Sequence, residues 1–209
     1  MEQLINKLKK RLNEDLPGQD AQYRMAPIHR TRVEVDFENN KNYVQSAVMI
    51  VLYKNENNDW YLPLIERKTY NGIHSGQIGL PGGKFEKQDV DLLNTALREC
   101  EEEIGIHDIE PIGALSPLVI PVSGFLVKPF IGIHRSKKLN YQLQEREVEQ
   151  VLNLSLNYLL DETNIVKGEI FVNDNLKIKT PYLEVQSKKV WGATAMILSE
   201  LKEVLLSIS

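Results

Sequence analysis

Apolar positions along the chain recur in two periods, near 3.6 and 2, and the switches between them mark the elements. Leu4, Ile5, Leu8 and Leu12 have helical spacing, and Pro17-Gly18 is expected to end that helix. SAVMIVLY (Ser46 to Tyr53) reads as a buried strand, and NENND (Asn55 to Asp59) as a turn. WYLPLIER (Trp60 to Arg67) then returns as a second strand, which predicts a hairpin.

A glycine-rich loop and a strongly acidic helix follow. Val119 to His134 reads as two strands broken at Ser123-Gly124, and Val148 to Leu160 as partly helical. GEIFV (Gly168 to Val172) and LKIKTPYLEV (Leu176 to Val185) suggest another hairpin. Ile197, Leu198, Leu201, Val204 and Leu205 place an apolar stripe on a C-terminal helix. Strands and helices interleave without repeats, which predicts an α/β (α+β) fold with a mixed sheet.

Composition narrows the setting. A chain of 209 residues suffices for one well-buried core, so one globular domain is the expectation. A net charge of −4 gives no basis for binding nucleic acid or an anionic membrane. The lone Cys100 excludes an internal disulfide and fits a reducing compartment. The mixed charges of the first eighteen residues do not resemble an export signal. The most apolar segment carries Pro117, Pro121, Lys128 and Pro129, which argues against a membrane span. Cytoplasmic localisation is expected.

The acidic helix is the chemical anomaly. Leu92, Leu93, Ala96, Leu97, Cys100 and Ile104 define its buried stripe, with Asp89 or Asp91 as start cap and Gly105 in the left-handed position after its end. Glu99 and Glu103 fall on one flank of that stripe, Glu102 lies farther round the same side, and Glu101 falls on the opposite, solvated flank. Like charges this close repel unless a cation joins them. An acidic helix surface alone is more often a solvated face than a metal site. Carboxylates four apart with a third beside them can also hold Mg²⁺ or Mn²⁺, and Arg98 could fix their orientation.

The preceding loop shifts the balance. Pro81-Gly82-Gly83-Lys84 lets backbone approach a ligand closely and adds one cation, although Gly-Gly alone marks a turn more often than a phosphate cradle. The order of residues is not that of a Walker loop. A glycine loop feeding a helix that ends in R-E-x-x-E-E-x-G is a far rarer conjunction.

Gly83 through Ile106 resembles the Nudix box, G-x5-E-x7-R-E-U-x-E-E-x-G-U, in which U is a bulky aliphatic residue. Arg98, Glu99, Glu102, Glu103, Gly105 and Ile106 match it, and Cys100 takes the first aliphatic place. Asp89 stands where the first glutamate is expected, one residue farther from Arg98 than usual. LIERKTYNGIHSGQIGLPGGK (Leu64 to Lys84) resembles the segment preceding the box in Nudix coenzyme A pyrophosphatases. Leu64, Arg67, His74, Gly76, Gln77, Pro81, Gly82 and Gly83 match in place, while Gly72 replaces an arginine of that pattern. PVSGFLVKPFIG, Glu147-Val148 and WGATA resemble its later landmarks, so the likeness runs from about Val44 to Leu205.

The resemblance implies a Nudix-like α/β/α sandwich with a mixed β-sheet and a loop-helix-loop catalytic box. It divides the chain into an N-terminal helix and extended arm (1–43) and a Nudix hydrolase domain (44–209). The implied activity is metal-dependent hydrolysis of coenzyme A or acyl-CoA to 3′,5′-ADP and (acyl-)4′-phosphopantetheine. Glu99, Glu102 and Glu103 become metal ligands for Mg²⁺ or Mn²⁺, with Arg98 orienting them. The general base is Glu99 or Glu102, or an acid of the loop near Glu145 and Glu147. Arg67, His74, Gly82, Gly83 and Lys84 become substrate-binding residues, with Lys128 a further candidate for phosphate. ADP-ribose, a dinucleotide or a nucleoside triphosphate is the alternative substrate, and a non-catalytic nucleotide sensor the remote one. Whether the N-terminal arm packs on the body or joins a homodimer is left open by the residues.

Overall fold

The computed structural model describes residues 2–33, 42–69, 76–173 and 176–208. Helix α1 (Glu2–Arg11) buries Ile5 and Leu8 as its spacing requires. It ends at Arg11, well before Pro17-Gly18. Gly18 instead opens a second short helix, α2 (Gly18–Gln22), followed by a 3₁₀ turn at Tyr23–Met25.

Strands β1 (Val44–Lys54) and β2 (Trp60–Arg67) meet as a hairpin only at the turn, with Tyr53 opposite Tyr61 and Lys54 opposite Trp60. After β3 (Ile78–Gly79) and β4 (Gly82–Lys84) comes helix α3 (Leu92–Ile104), and then β5 (Ile109–Ala114) and β6 (Leu118–Ile120). Strand β7 (Phe125–His134) lies parallel to β1 along its whole length, from Val44–Phe125 to Tyr53–His134. Val148–Leu160 is largely a strand: β8 (Val148–Ser155) pairs antiparallel with β2, and only Leu156–Leu160 forms a helix, α4. Cross-strand pairing and the burial of Val148, Leu152 and Leu154 override the partly helical reading. Strands β9 (Ile165–Asn173), β10 (Leu176–Val185) and β11 (Lys188–Val190) form a separate three-stranded sheet, and α5 (Gly192–Leu206) closes the chain.

Strands β1 to β8 make one mixed sheet whose backbone follows β3-β2-β1-β7-β5, with β4 on β1, β6 on β7 and β8 on β2. Alternation along β1 sends Ala47, Met49 and Val51 to one face, against Ala96, Cys100 and Ile104 of α3. Ile50 and Leu52 go to the other face, with Ile5, Leu8, Leu198, Leu201 and Leu205 of α1 and α5. Helices therefore cover both faces of the sheet, as an α/β/α sandwich requires. Ile104 is completely buried in that arrangement; such a side chain stabilises the fold by about 1.5–3 kcal/mol. Among the described residues no helix is long and apolar enough to cross a membrane.

Candidate active site

Helix α3 begins and ends by local chemistry. Asp91 caps its start, its carboxylate accepting from Asn94 N at 2.8 Å, and Gly105 takes the left-handed conformation at φ 70° after its end. The three glutamates on its loop-facing side differ sharply in depth. The side chain of Glu103 is 2% exposed, that of Glu99 14% and that of Glu102 56%. Glu103 is thus inside the core rather than beside it, and Glu101 is exposed as expected.

The glycine loop reaches this helix through β4, which pairs with β1 so that Gly82 faces Val48 and Gly83 faces Ala47. A Cβ on Gly82 would meet Ala47 O at 2.3 Å, and its φ of +154° is itself one that other residues avoid. A Cβ on Gly83 would fall 2.4 Å from Oε1 of Glu99, so the missing side chain leaves the space that this carboxylate fills.

Two arginines hold the carboxylates. Arg98 Nη1 donates to Glu99 Oε1 and to Glu102 Oε2, each at 2.9 Å, and Nη2 donates to Lys84 O at 3.2 Å. Its Nε and Nη2 bind Asp89 Oδ1 and Oδ2 at 2.9 and 3.1 Å. Asp89 also accepts from Thr95 Oγ1 at 2.8 Å and Glu86 N at 2.9 Å. It is therefore an anchor for Arg98, occupying the place of the first glutamate of the motif. The second arginine, Arg67 from β2, donates from Nη1 to Glu103 Oε1 at 2.8 Å and from Nη2 to Gly82 O at 2.9 Å. Glu103 Oε2 accepts from Gly82 N at 2.8 Å, closing a ring through the backbone N–H and C=O of one glycine.

Electrostatics follow burial. Desolvation pushes the Glu103 carboxyl up to about 7, against the pull of Arg67 and the Gly82 N–H. Desolvation also raises Glu99, opposed by Arg98 and reinforced by the charges of Glu102 and Glu147. Hydrogen bonds from Arg98 hold Asp89 well below the usual carboxylate range in spite of its burial.

Among the described residues no three acidic, histidine or cysteine side chains stand grouped as a ready metal cage. Guanidinium groups occupy oxygens of all three glutamates. The donors themselves are three carboxylates and a backbone carbonyl, all oxygen, gathered where like charges already destabilise one another. That set fits a hard divalent cation.

The other expected residues divide. Lys84 turns its ammonium over the ring of Phe125, 5.6 Å from the centroid. Lys128 stands in one cross-sheet row with Ala47 and Gly83, and burial lowers its pKa while Glu200 opposes the shift. Glu147 is exposed, close enough for its charge to act on Glu99. His74, with Gly72, lies outside the described residues. The link between Arg67 and Glu103 was not expected from sequence, and only the position of Arg67 in the flanking motif pointed to it.

A mixed sheet between helices, with a glycine loop laid against an R-E-x-x-E-E helix, is the arrangement that the Nudix resemblance implies. Residues 44–165 match the NUDIX domain, and the chain belongs to the Nudix family. It is 34% identical over 151 residues to a Nudix hydrolase NudL of Yersinia enterocolitica, covering 68% of this chain and 72% of that one. With Nudix hydrolase 15, mitochondrial, of Arabidopsis thaliana it shares 34% over 162 residues, covering 74% of this chain and 56% of the relative. A crystal structure of a MutT/nudix family protein from Enterococcus faecalis superposes with a TM-score of 0.50 at 14% identity, over 85% of this chain and 66% of that one, and so shares the fold. The chain is accordingly a Nudix pyrophosphohydrolase, an enzyme class that works with divalent metal ions.

Proposed function

We propose that this enzyme hydrolyses the diphosphate linkage of coenzyme A or an acyl-CoA, releasing 3′,5′-ADP and 4′-phosphopantetheine or its acyl form. One observation carries the reading. The stretch resembling the coenzyme A pyrophosphatases is bonded directly to the acidic helix, through Arg67 to Glu103 and through Gly82 to both. The segment that would read the substrate and the helix that would cleave it thus form one unit.

Glu99, Glu102 and Glu103 would hold the cation, Mg²⁺ or Mn²⁺. Bound there, a divalent ion neutralises diphosphate charge and lowers the pKa of an attacking water. Arg98, fixed by Asp89, keeps the carboxylates of Glu99 and Glu102 turned toward one point. Glu99 or Glu102 takes the proton from water; Glu147, whose charge already acts on Glu99, is the loop candidate for that role. Gly82, Gly83, Arg67, Lys84, Lys128 and His74 are the groups proposed to meet the phosphate oxygens. Cytoplasmic action belongs to the same proposal, on the strength of the lone cysteine.

The test is a product assay with Mg²⁺ or Mn²⁺ on coenzyme A, acetyl-CoA, ADP-ribose, a dinucleotide and a nucleoside triphosphate. Release of 3′,5′-ADP from coenzyme A, lost in Glu99→Gln, supports the proposal. Preferred cleavage of ADP-ribose or a dinucleotide overturns the substrate and keeps the chemistry. Nucleotide binding with no turnover makes the chain a sensor.

A further inference from the structure

Arg67 makes an unusual choice of partners. A side chain reading phosphate would keep its guanidinium toward the cleft, yet this one spends both terminal nitrogens inside the protein. Nη1 lies on Glu103 Oε1 at 2.8 Å and Nη2 on Gly82 O at 2.9 Å. One oxygen comes from α3 and the other from the β4 loop, so two elements aim acceptors at a single cationic group. Neither oxygen can easily turn away. Glu103 is locked by the Gly82 N–H on its other oxygen, and Gly82 by the close approach of Ala47 O and Val48.

Carboxylate and backbone carbonyl oxygens converging on one point also suit a hard divalent ion. We infer that Arg67 occupies a pair of oxygens for which a divalent cation competes, so that Arg67 must leave Glu103 and Gly82 O for a cation to take them. Arg98 also lies on Glu99 and Glu102, but it differs in being held by Asp89, outside the three glutamates. The inference rests on the metal reading of the site and assigns Arg67 a gating role in it. The planar fork, once released, is shaped for a pair of phosphate oxygens.

The test is Mn²⁺ binding without substrate, followed by the electron paramagnetic resonance signal of the free ion. Wild type, Arg67→Gln, Arg67→Lys and Glu99→Gln are compared, with circular dichroism and thermal melts to establish folding. Competition predicts Mn²⁺ affinity about tenfold tighter in Arg67→Gln, equivalent to removing one modest competing interaction. Arg67→Lys, which keeps a charge for Glu103 but lacks the fork that also reaches Gly82 O, should fall between. Mn²⁺ should also raise the melting temperature of Arg67→Gln more than that of wild type. Equal or weaker affinity in a folded Arg67→Gln or Arg67→Lys overturns the inference, with the metal site surviving if wild type binds and Glu99→Gln does not. Absence of Mn²⁺ binding in wild type and variants alike overturns both.

Discussion

Between them Arg98 and Arg67 hold three glutamates, Glu99 and Glu102 by the first and Glu103 by the second, but the arginines are themselves held in opposite ways. Arg98 reaches two of them from a base on Asp89, a buried carboxylate with donors from Thr95 and Glu86 N as well. The guanidinium of Arg67 instead bonds Glu103 and the Gly82 carbonyl themselves. The first is therefore a fixed orienting group, and the second is tied to the oxygens whose occupancy would have to change. Position in the box predicts the first kind of arginine. The second kind shows only in the crossing of β2 and α3.

The largest effect separating the two ends of the acidic row should come from Glu99→Gln. It should lower kcat with Mg²⁺ by about 10³-fold, within the range for losing a positioned acid–base or charge-stabilising group. A loss below tenfold would shift the chemistry toward Glu102 and the loop acids. Gly83→Ala comes next. Its Cβ would collide with the Glu99 carboxylate, and a displacement of this size costs about 10²-fold in kcat. Its melting temperature should change far less than its rate, which steady-state kinetics and a thermal melt can compare.

Asp89→Asn probes the anchor rather than the row. Removing one partner of a buried pair destabilises by about 3 kcal/mol, read from urea midpoints at neutral pH. The sign with pH is determined by direction. The folded pKa of Asp89 lies below its unfolded value, so its stabilising contribution is complete above about pH 4 and lost as pH falls toward the folded value. The gap between wild type and variant should therefore narrow in acid, and a gap that widens would refute the anchor. The smallest effect belongs to Glu101→Gln. On the exposed flank it should leave kcat unchanged and stability within about 0.5 kcal/mol.

The contrast also marks how far residues alone could be read. Helix α3 was legible in outline because its signals are local: the apolar stripe, a start cap at Asp89 or Asp91 that the structure assigns to Asp91, Gly105 and the solvated Glu101. Strand β5 has no counterpart in the sequence reading; it contains Pro111 and Gly113, and its pairing with β7 accommodates them by a shift in register between the two. The length of α1 was overread because Pro17 is the nearest strong breaker, whereas the helix ends at Arg11 without one. The depth of Glu103 was out of reach for a different reason. A helical wheel gives its flank, but burial depends on Arg67 arriving from 36 residues upstream.

The parallel pairing of β1 with β7 has a further consequence, for assembly. The whole box lies in the crossover between those strands, so the surface beneath α3 is completed only when Phe125–His134 has docked beside Val44–Tyr53. Contacts this distant in sequence close late and slowly. On a ribosome, the acidic helix would emerge before β7 exists, and a chain cut short before Phe125 would carry every residue of the motif on a sheet lacking the strand that completes it beside β1.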